Sequence, residues 1–330
     1  MFDFNITIPE PDSQVEILVD KSSTGRERPW REKKVKNEYL SLAYDSVNPS
    51  KAERLRGCGD FLFFHELEDG NKKLRHMNSC RVRLCPLCTW RRSLKVQGQT
   101  IEILKAMDGK YSFILLTLTL VNCAGEDLPK TLDLMFDAWK RMTERKQFRD
   151  AVKGWYRALE VTHNVDYGDK SFDTYHPHFH AILVVNKSYF KKSIYVKHNE
   201  WVELWRQSIR VDYAPKVNVK KVKGDTVQDV IKATAEVAKY TVEDEDYIVP
   251  EDWDLTLDSV RILDAALNNR RLVAYGGLMK ELHKKLKLDD VENGDLINVD
   301  SEDSTAASTG RELVYWWHAG YRQYIRRAAL

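Results

Sequence analysis

The stretch TYHPHFHAILVV, residues 174–185, decides the fold of this chain. It places His176, His178 and His180 at every second position and then continues as an apolar run. Side chains at i, i+2 and i+4 of a strand share a face, so an extended segment would line up the three imidazoles. The apolar run predicts a buried strand, and Pro177 marks its entrance or an edge. Because neutral imidazole is the commonest metal ligand, the pattern indicates a metal site; a surface strand whose histidines bind nothing is the alternative.

The segments around this strand predict an α+β fold, with a central antiparallel β-sheet flanked by helices. Apolar, β-rich stretches at 111–121, 155–163 and 216–223 are the other predicted strands of that sheet. Apolar residues at helical spacing predict helices at 38–56, 90–107, 128–148, 201–209, 227–240 and 255–286.

A third metal ligand is expected on the strand that precedes the histidines. Glu160 lies between apolar neighbours in RALEVTHN, and a carboxylate inside a strand is rare unless it is paired or ligating. A short polar connection joins the two strands, so they would pair antiparallel and Glu160 could lie across from His178 or His180. A hard oxygen ligand suits a metal that handles phosphate. The alternative is a half-exposed glutamate on a sheet face.

A cluster of cysteines predicts a zinc-binding module. CRVRLCPLC places Cys80, Cys85 and Cys88 at the C-x4-C-x2-C spacing of a zinc knuckle, in which one tight turn supplies two thiolates. A closed structural site requires a fourth ligand. Between Cys58 and the knuckle, FLFFHELEDGNKKLRHM predicts a hairpin that can bring Cys58 back to the other three. His76 is the competing fourth ligand, and thiols that bind no metal are the remaining alternative.

Charge is distributed unevenly along the chain, although the net charge is only +2. The stretch 288–310 contains seven acidic residues and no lysine or arginine, so it is predicted to be a disordered acidic linker. The rest of the chain then carries about +9, which suits a polyanionic partner such as DNA. The basic residues around the knuckle are the predicted DNA contacts, with solvated surface charge as the alternative: Arg81, Arg83, Arg91, Arg92 and Lys95.

A glutamate and a tyrosine occupy one face of a predicted helix further along the chain. In VIKATAEVAKY, Glu236 and Tyr240 are four residues apart and therefore lie one above the other. A tyrosine hydroxyl near a divalent metal can attack phosphorus and form a phosphotyrosine. A carboxylate one turn away could activate the water that releases this link. Taken alone, such a pair is usually ordinary helix surface.

Five segments in a fixed order carry a resemblance to a known family. LCPLCTWRRSLK, LTLT, LEVTHN, HPHFHAIL and EVAKYTVEDEDY together resemble the rolling-circle replication initiator (Rep) proteins of small plasmids of Gram-positive bacteria. These proteins belong to the HUH endonuclease superfamily, named for two histidines around a bulky hydrophobic residue. The resemblance covers most of the chain from about Trp30 to Tyr247 and includes YGGLMKELHKKL further on.

The resemblance implies a metal-dependent DNA nickase and strand transferase. Glu160, His178 and His180 would hold a catalytic Mg²⁺ or Mn²⁺, Tyr240 would be the nicking tyrosine, and Glu236 would activate water at termination. The enzyme would bind the plasmid double-strand origin, nick one strand to give a 5′-phosphotyrosine and a free 3′-OH primer, and later rejoin the ends. Duplex and single-stranded origin DNA, host helicase and host DNA polymerase would be its partners, and it could act as a homodimer.

Combined with the patterns above, this reading divides the chain into five consecutive regions. No apolar run approaches the ~20 residues that span a membrane, and no signal-peptide pattern is present, so a cytoplasmic protein without a membrane partner is expected. The arm is expected to be flexible over about 1–25. The regions are an N-terminal arm and basic helix (1–56), a zinc-binding module and basic helix (57–108), an HUH nicking domain with C-terminal helices (109–287), an acidic linker (288–310) and an aromatic C-terminal tail (311–330).

Other functions fit parts of this pattern. A single-tyrosine HUH transposase would share the site, whereas a conjugative relaxase is disfavoured because the chain has no helicase motif or long extension. A 2-His-1-carboxylate iron oxygenase would use the same ligand types, but it usually spaces them as HxD with a distant histidine. A DNA-binding repressor would explain the zinc and the basic residues but not Tyr240.

Overall fold

The cysteine hairpin and the histidine strand belong to two different antiparallel sheets in the computed structural model of the chain. The structure describes residues 15–22, 25–107, 109–191, 193–223, 227–234, 243–299 and 307–327. It has two compact units, each discontinuous in sequence. The first takes its described residues from 1–95, 247–261 and 295–330, and the second from 96–246 and 262–294.

Each unit contains one five-stranded sheet. The described strands are β1 (Val15–Ile17), β2 (Phe61–Leu67), β3 (Lys72–Met77), β4 (Tyr111–Thr119), β5 (Val152–His163), β6 (Tyr175–Asn186), β7 (Val217–Lys221), β8 (Val273–Gly277), β9 (Ser308–His318) and β10 (Gln323–Arg327). The strand order is β1-β10-β9-β2-β3 in the first unit and β7-β4-β6-β5-β8 in the second. This arrangement confirms the predicted α+β fold with an antiparallel sheet, and it confirms all four strands predicted for that sheet.

Helices flank these sheets, and most of them match the predicted positions. The described α-helices are α1 (Trp30–Val47), α2 (Pro49–Arg56), α3 (Pro86–Ala106), α4 (Leu128–Glu144), α5 (Lys146–Ala151), α6 (His198–Ile209), α7 (Val227–Thr234), α8 (Trp253–Leu267) and α9 (Leu278–Lys285). The helix expected over 38–56 begins earlier and is broken at Asn48, whose side chain accepts a hydrogen bond from the Lys51 N–H and caps α2.

Strand β6 lies at the centre of the second unit's sheet, paired with β4 on one side and β5 on the other. Its alternation places the histidines on one face and Phe179 on the other. Phe179 is fully buried, and its ring packs edge-on against Phe136 and Trp139 of α4 and Trp205 of α6. Burial of this ring fixes the direction in which the flanking histidines point.

The predicted helix over 255–286 is wrong in its middle, where the chain forms β8. Gly276 lies so close to the Trp155 ring on β5 that an added Cβ atom would be 2.1 Å from it. Gly277 has a φ of +52°, a conformation that side-chain-bearing residues rarely adopt. The two glycines therefore allow β8 to pair closely with β5 before α9 begins.

The predicted disordered linker over 288–310 is also wrong for the residues described up to Val299. In the second unit, Glu292 is buried and its carboxylate accepts hydrogen bonds from the backbone N–H groups of Leu272 and Val273. In the first unit, Leu296 and Val299 are buried. An acidic composition does not prevent order here, because a carboxylate satisfies backbone donors.

The arm and the aromatic tail are strands of one sheet in the part of the chain that is described. β1 pairs with β10, and β9 pairs with β2. Residues 15–22 therefore depart from the expected flexible arm, and the region after 307 is an integral part of the first unit. The structure thus groups the chain differently from the five consecutive regions, because long-range strand pairing determines the units.

Candidate metal centres

The register of β5 and β6 brings a carboxylate to the histidines. Glu160 is the direct cross-strand partner of His178, as expected for an antiparallel pair. The Oε2 atom of Glu160 lies 3.1 Å from Nε2 of His178 and 2.7 Å from Nε2 of His180. Their side chains are between 13% and 24% exposed, so a small ion could reach them from solvent.

These three atoms fit a divalent metal ion. Neighbouring ligands of an octahedral ion with bonds of about 2.1 Å are about 3.0 Å apart, close to both distances above. Two imidazoles and one carboxylate on one side of an ion leave its other positions open for water or substrate. The structure therefore brings together the residues predicted to hold Mg²⁺ or Mn²⁺.

Backbone and hydroxyl groups orient the two imidazoles. With Nδ1 protonated, His178 donates to the backbone carbonyl of His176 at 3.1 Å, which leaves Nε2 available as a ligand. Nδ1 of His180 lies 3.4 Å from the hydroxyl of Thr117, its cross-strand partner on β4. His176 thus contributes its main chain, and its side chain is not part of the ligand cluster.

Glu160 and its histidine neighbours shift one another's pKa values. Burial raises the pKa of Glu160, but hydrogen bonds and charges of His178 and His180 outweigh it and lower the pKa overall. Burial lowers the pKa of His178. The hydrogen bond to Glu160 and the charge of that carboxylate together outweigh burial, so the pKa of His178 is raised overall. In the absence of metal, an ionised carboxylate and a protonated imidazole therefore stabilise each other.

We expect Mn²⁺ affinity to fall with acidification because a proton on His178 competes with the ion. Glu160 raises the pKa of His178 above its ordinary value, so protonation begins nearer to neutrality. Below that pKa, the Mn²⁺ affinity falls about tenfold per pH unit for each proton that the ion displaces. Titration of Mn²⁺ by electron paramagnetic resonance between about pH 5.5 and 8.5 measures this slope. An affinity independent of pH would contradict the ligand role of His178.

His163, a residue that the sequence patterns did not single out, holds Asp246 of the acidic turn at the end of β5. Its Nε2 lies 3.0 Å from Asp173 Oδ1, its Nδ1 lies 3.2 Å from the Asp246 carbonyl, and its ring stacks on Tyr175. Burial raises the pKa of Asp246 to about 7, with the charge of Glu160 adding to the shift. A single buried histidine carries no spacing signal, which is why its role was not predicted.

The predicted nucleophile and its partner, Tyr240 and Glu236, lie outside the described residues. Helix α7 is described up to Thr234, and the chain is described again from Glu243. The acidic turn after this gap forms a short 3₁₀ helix, Asp244–Asp246. Tyr247 follows it, 1% exposed, and its hydroxyl donates to the backbone carbonyl of Leu84.

Four cysteines form a second cluster, in the first unit. The Sγ atom of Cys58 lies 3.6 Å from those of Cys85 and Cys88, and the Sγ atoms of Cys80 and Cys88 are 3.8 Å apart. Four sulfurs at about 2.3 Å from a tetrahedral zinc ion are about 3.8 Å from one another. The cluster is buried, and its dimensions fit Zn²⁺.

Cys58 lies just before the β2–β3 hairpin and joins the other three cysteines in the cluster, as the sequence predicted. His76, the competing ligand, is exposed on β3 and its ring stacks on Phe61 instead. Backbone N–H groups of Cys80 and Val82 point at cluster sulfurs, at 3.3 Å and 3.4 Å. Burial raises the pKa of the Cys85 thiol, so a bound cation is the natural means of keeping four buried sulfurs as thiolates.

Three of the five predicted DNA-contacting residues are buried within the first unit. Arg91 donates to the carbonyls of Leu296 and Ile297, and Lys95 donates to that of Asp295. Arg91, Arg92 and Lys95 are each 3% exposed, so burial argues against phosphate contacts by them.

Arg92 contacts a different part of the first unit. It donates to the carbonyl of Arg81 in the cysteine loop. Hydrogen bonds from the other thiols, together with the charge of Arg92, lower the pKa of Cys88. Arg81 is exposed and Arg83 is partly exposed, so these two retain a surface position.

Comparisons with known proteins identify the family of this chain. A family model described as replication protein matches residues 71–325. A relative named Protein rep, from Bacillus amyloliquefaciens, is 38% identical and covers 94% of this chain and 97% of its own length. A Protein rep from Lactiplantibacillus plantarum is 37% identical, covering 94% and 99%, and one from Streptococcus pneumoniae is 35% identical, covering 95% and 97%. The chain therefore belongs to the replication protein family, the Rep initiators of Gram-positive plasmids.

No solved structure matches this chain. Within the described ranges, no helix combines the length and the apolar character that crossing a bilayer requires.

Proposed function

We propose that this replication protein initiates rolling-circle replication by nicking one strand of the plasmid double-strand origin. The observation that carries the proposal is the ligand triangle of Glu160, His178 and His180, whose spacing suits a divalent ion. Family membership supports a role at a replication origin. In this proposal the site is the nicking centre, and its ion is Mg²⁺ or Mn²⁺.

The proposed chemistry transfers a phosphodiester bond from DNA to the protein. A Mg²⁺ or Mn²⁺ ion at the triangle would supply Lewis-acid polarisation of the scissile phosphate. The Tyr240 hydroxyl attacks phosphorus and loses its proton, while the bond from phosphorus to the 3′ oxygen breaks. The products are a 5′-phosphotyrosine and a 3′-OH that serves as primer. Glu236 later activates a water that releases the protein, or a 3′-OH attacks the link and rejoins the strand.

The remaining parts of the proposal concern binding and partners. Zn²⁺ would be held by Cys58, Cys80, Cys85 and Cys88 and would stabilise the first unit. Arg81 and Arg83 are the basic residues near that cluster that we propose to contact origin phosphates. Host helicase would unwind the duplex and host DNA polymerase would extend the primer in the cytoplasm, and a homodimer could bind the origin. Family membership disfavours the transposase and the iron oxygenase.

Replacement of both histidines should abolish nicking while leaving DNA binding nearly intact. His178→Ala with His180→Ala removes two of three ligands, whereas phosphate contacts that position DNA do not need the ion. Conversion of supercoiled native plasmid to open circles, with Mg²⁺ or Mn²⁺, measures nicking, and a duplex-origin mobility shift measures binding.

His176→Ala is the matched control for this pair. His176 lies on the same strand and the same face, but its imidazole is outside the ligand cluster, so most nicking should remain. Nicking by the double variant with either metal would show that the ligand assignment is wrong.

A further inference from the structure

An aromatic surface covers one face of the first unit's sheet. Strand β2 alternates between buried Leu62 and Phe64 and the partly exposed side chains of Phe61 and Phe63. The buried face packs against other elements, with Phe64 contacting the ring of Trp30 on α1 edge-on. The opposite face has no buried residue among its described members, so it is open to solvent.

Rings from three neighbouring strands meet on this open face. Phe61 of β2 lies across from Trp316 of β9, with ring centroids 5.2 Å apart. On its other side, Phe61 stacks on His76 of β3 at 5.4 Å, with an angle of 26° between the ring planes. Trp316 is 57% exposed and His76 is also exposed. We call His76, Phe61 and Trp316 the aromatic platform.

Arg75, the extra and exposed residue of a bulge in β3, places a positive charge beside His76. At the end of this face remote from Trp316, Lys73 of β3 and Glu312 of β9 flank His65 on opposite sides, so their charges offset each other. Cations beside exposed ring faces are the combination that binds single-stranded nucleic acid, because bases stack on rings and phosphates pair with cations.

We propose that the aromatic platform binds single-stranded DNA by stacking unpaired bases on Trp316 and His76. This surface belongs to the first unit, whereas Glu160, His178 and His180 belong to the second, so it is a DNA site additional to the nicking centre. The inference takes from the proposed function only the presence of a single DNA strand during initiation. It gives the protein a way to hold that strand without reading its sequence.

Composition favours DNA over a second protein chain as the occupant. The centres of protein–protein interfaces are depleted in charged residues, particularly lysine. Here the exposed Arg75 directly precedes His76 on β3, next to the stacked rings. The rings of Phe61 and His76 are stacked with an angle of 26° between their planes, and the exposed ring of Trp316 is tilted by 40° from that of Phe61.

Trp316→Leu tests the platform because leucine keeps an apolar side chain but removes the stacking ring. Binding of a fluorescently labelled oligodeoxythymidine to the full chain, measured by anisotropy with EDTA present, should weaken about 5- to 150-fold, the range for loss of one base–aromatic stack. Trp316→Phe should lose less, and His76→Ala should weaken binding independently. Zinc content and near-ultraviolet circular dichroism establish that each variant is folded.

Trp253→Leu is the matched control, since Trp253 is 39% exposed in the same unit but lies on α8. It should bind within about twofold of the unaltered protein. Unchanged oligonucleotide affinity in Trp316→Leu would overturn the proposal. The proposal would also be overturned if Trp316→Leu dissociated a dimer while retaining its DNA affinity, because the face would then be a protein interface.

The same assay separates this inference from the nicking proposal. The variant with His178→Ala and His180→Ala reports on nicking, whereas Trp316→Leu reports on oligodeoxythymidine binding. If the histidine variant still nicked plasmid DNA, the metal assignment would fail while the platform stood. If Trp316→Leu bound normally and the histidine variant failed to nick, the platform alone would fail.

Discussion

A Tyr240→Phe variant should form no covalent adduct with a single-stranded origin oligonucleotide. Phenylalanine keeps the aromatic ring but lacks the hydroxyl, so no nucleophile is present. Loss of an essential nucleophile lowers turnover by on the order of 10⁴-fold or more. Denaturing gel electrophoresis of the protein after incubation with labelled oligonucleotide and Mn²⁺ measures the adduct directly.

The neighbouring carboxylate should affect a different step. Glu236→Ala retains the hydroxyl and the metal ligands, so the adduct should form. Its hydrolysis should be slower by about 10²–10⁴-fold, the usual cost of losing a general base. A chase of preformed adduct separates the two steps, and equally fast release in Glu236→Ala would remove that residue from the mechanism.

Tyr247 is the matched control for the nucleophile. It is fully enclosed and its hydroxyl is engaged by the Leu84 carbonyl, so it should carry no DNA. Tyr247→Phe should therefore form the adduct. Peptide mapping of trapped material identifies the linked residue; DNA on Tyr247, or any adduct in Tyr240→Phe, would overturn the assignment.

A Cys85→Ser variant should lose both zinc and solubility. Cys85 is fully buried in the cluster, and a structural zinc site contributes about 10–16 kcal/mol of apparent binding free energy. This is comparable to the whole stability of a typical domain, about 5–15 kcal/mol, so the first unit should not remain folded without the ion. Atomic absorption should find about one zinc per chain in the unaltered protein, and thermal unfolding should shift strongly on its removal.

Three further variants make the zinc measurement specific. Cys123→Ser changes the cysteine that is outside the cluster and should keep the metal. Cys58→Ser should lose zinc and His76→Ala should keep it, because Cys58 completes the tetrad in space. A folded, metal-free unaltered protein would show that the cluster is not a zinc site.

The histidine site could be predicted because its information is local. A strand alternates with period two, so three histidines at every second residue share a face whatever surrounds them. One short connection then makes Glu160 a cross-strand neighbour. The hairpin between Cys58 and Cys80 is also formed by residues close in sequence. Its two antiparallel strands bring Cys58 near the other three cysteines.

The structure shows features that the sequence did not reveal where distant segments determine the local environment. Arg91 and Lys95 are in a basic helix, and only the fold reveals that backbone carbonyls at 295–297 receive their hydrogen bonds. The stretch 255–286 has helical apolar spacing, yet close packing of Gly276 on Trp155 favours a strand. Composition likewise does not reveal that Glu292 binds two backbone N–H groups.

The pairing of β2 with β9 has a consequence for the synthesis of this protein. Strands β1, β2 and β3 leave the ribosome early, whereas β9 and β10 leave it late. Until then β2 lacks a neighbour on one side, and an unpaired strand edge promotes association with other chains. Translation that stops before β9 therefore yields an aggregation-prone product, so nonsense mutations upstream of residue 308 should eliminate the folded first unit.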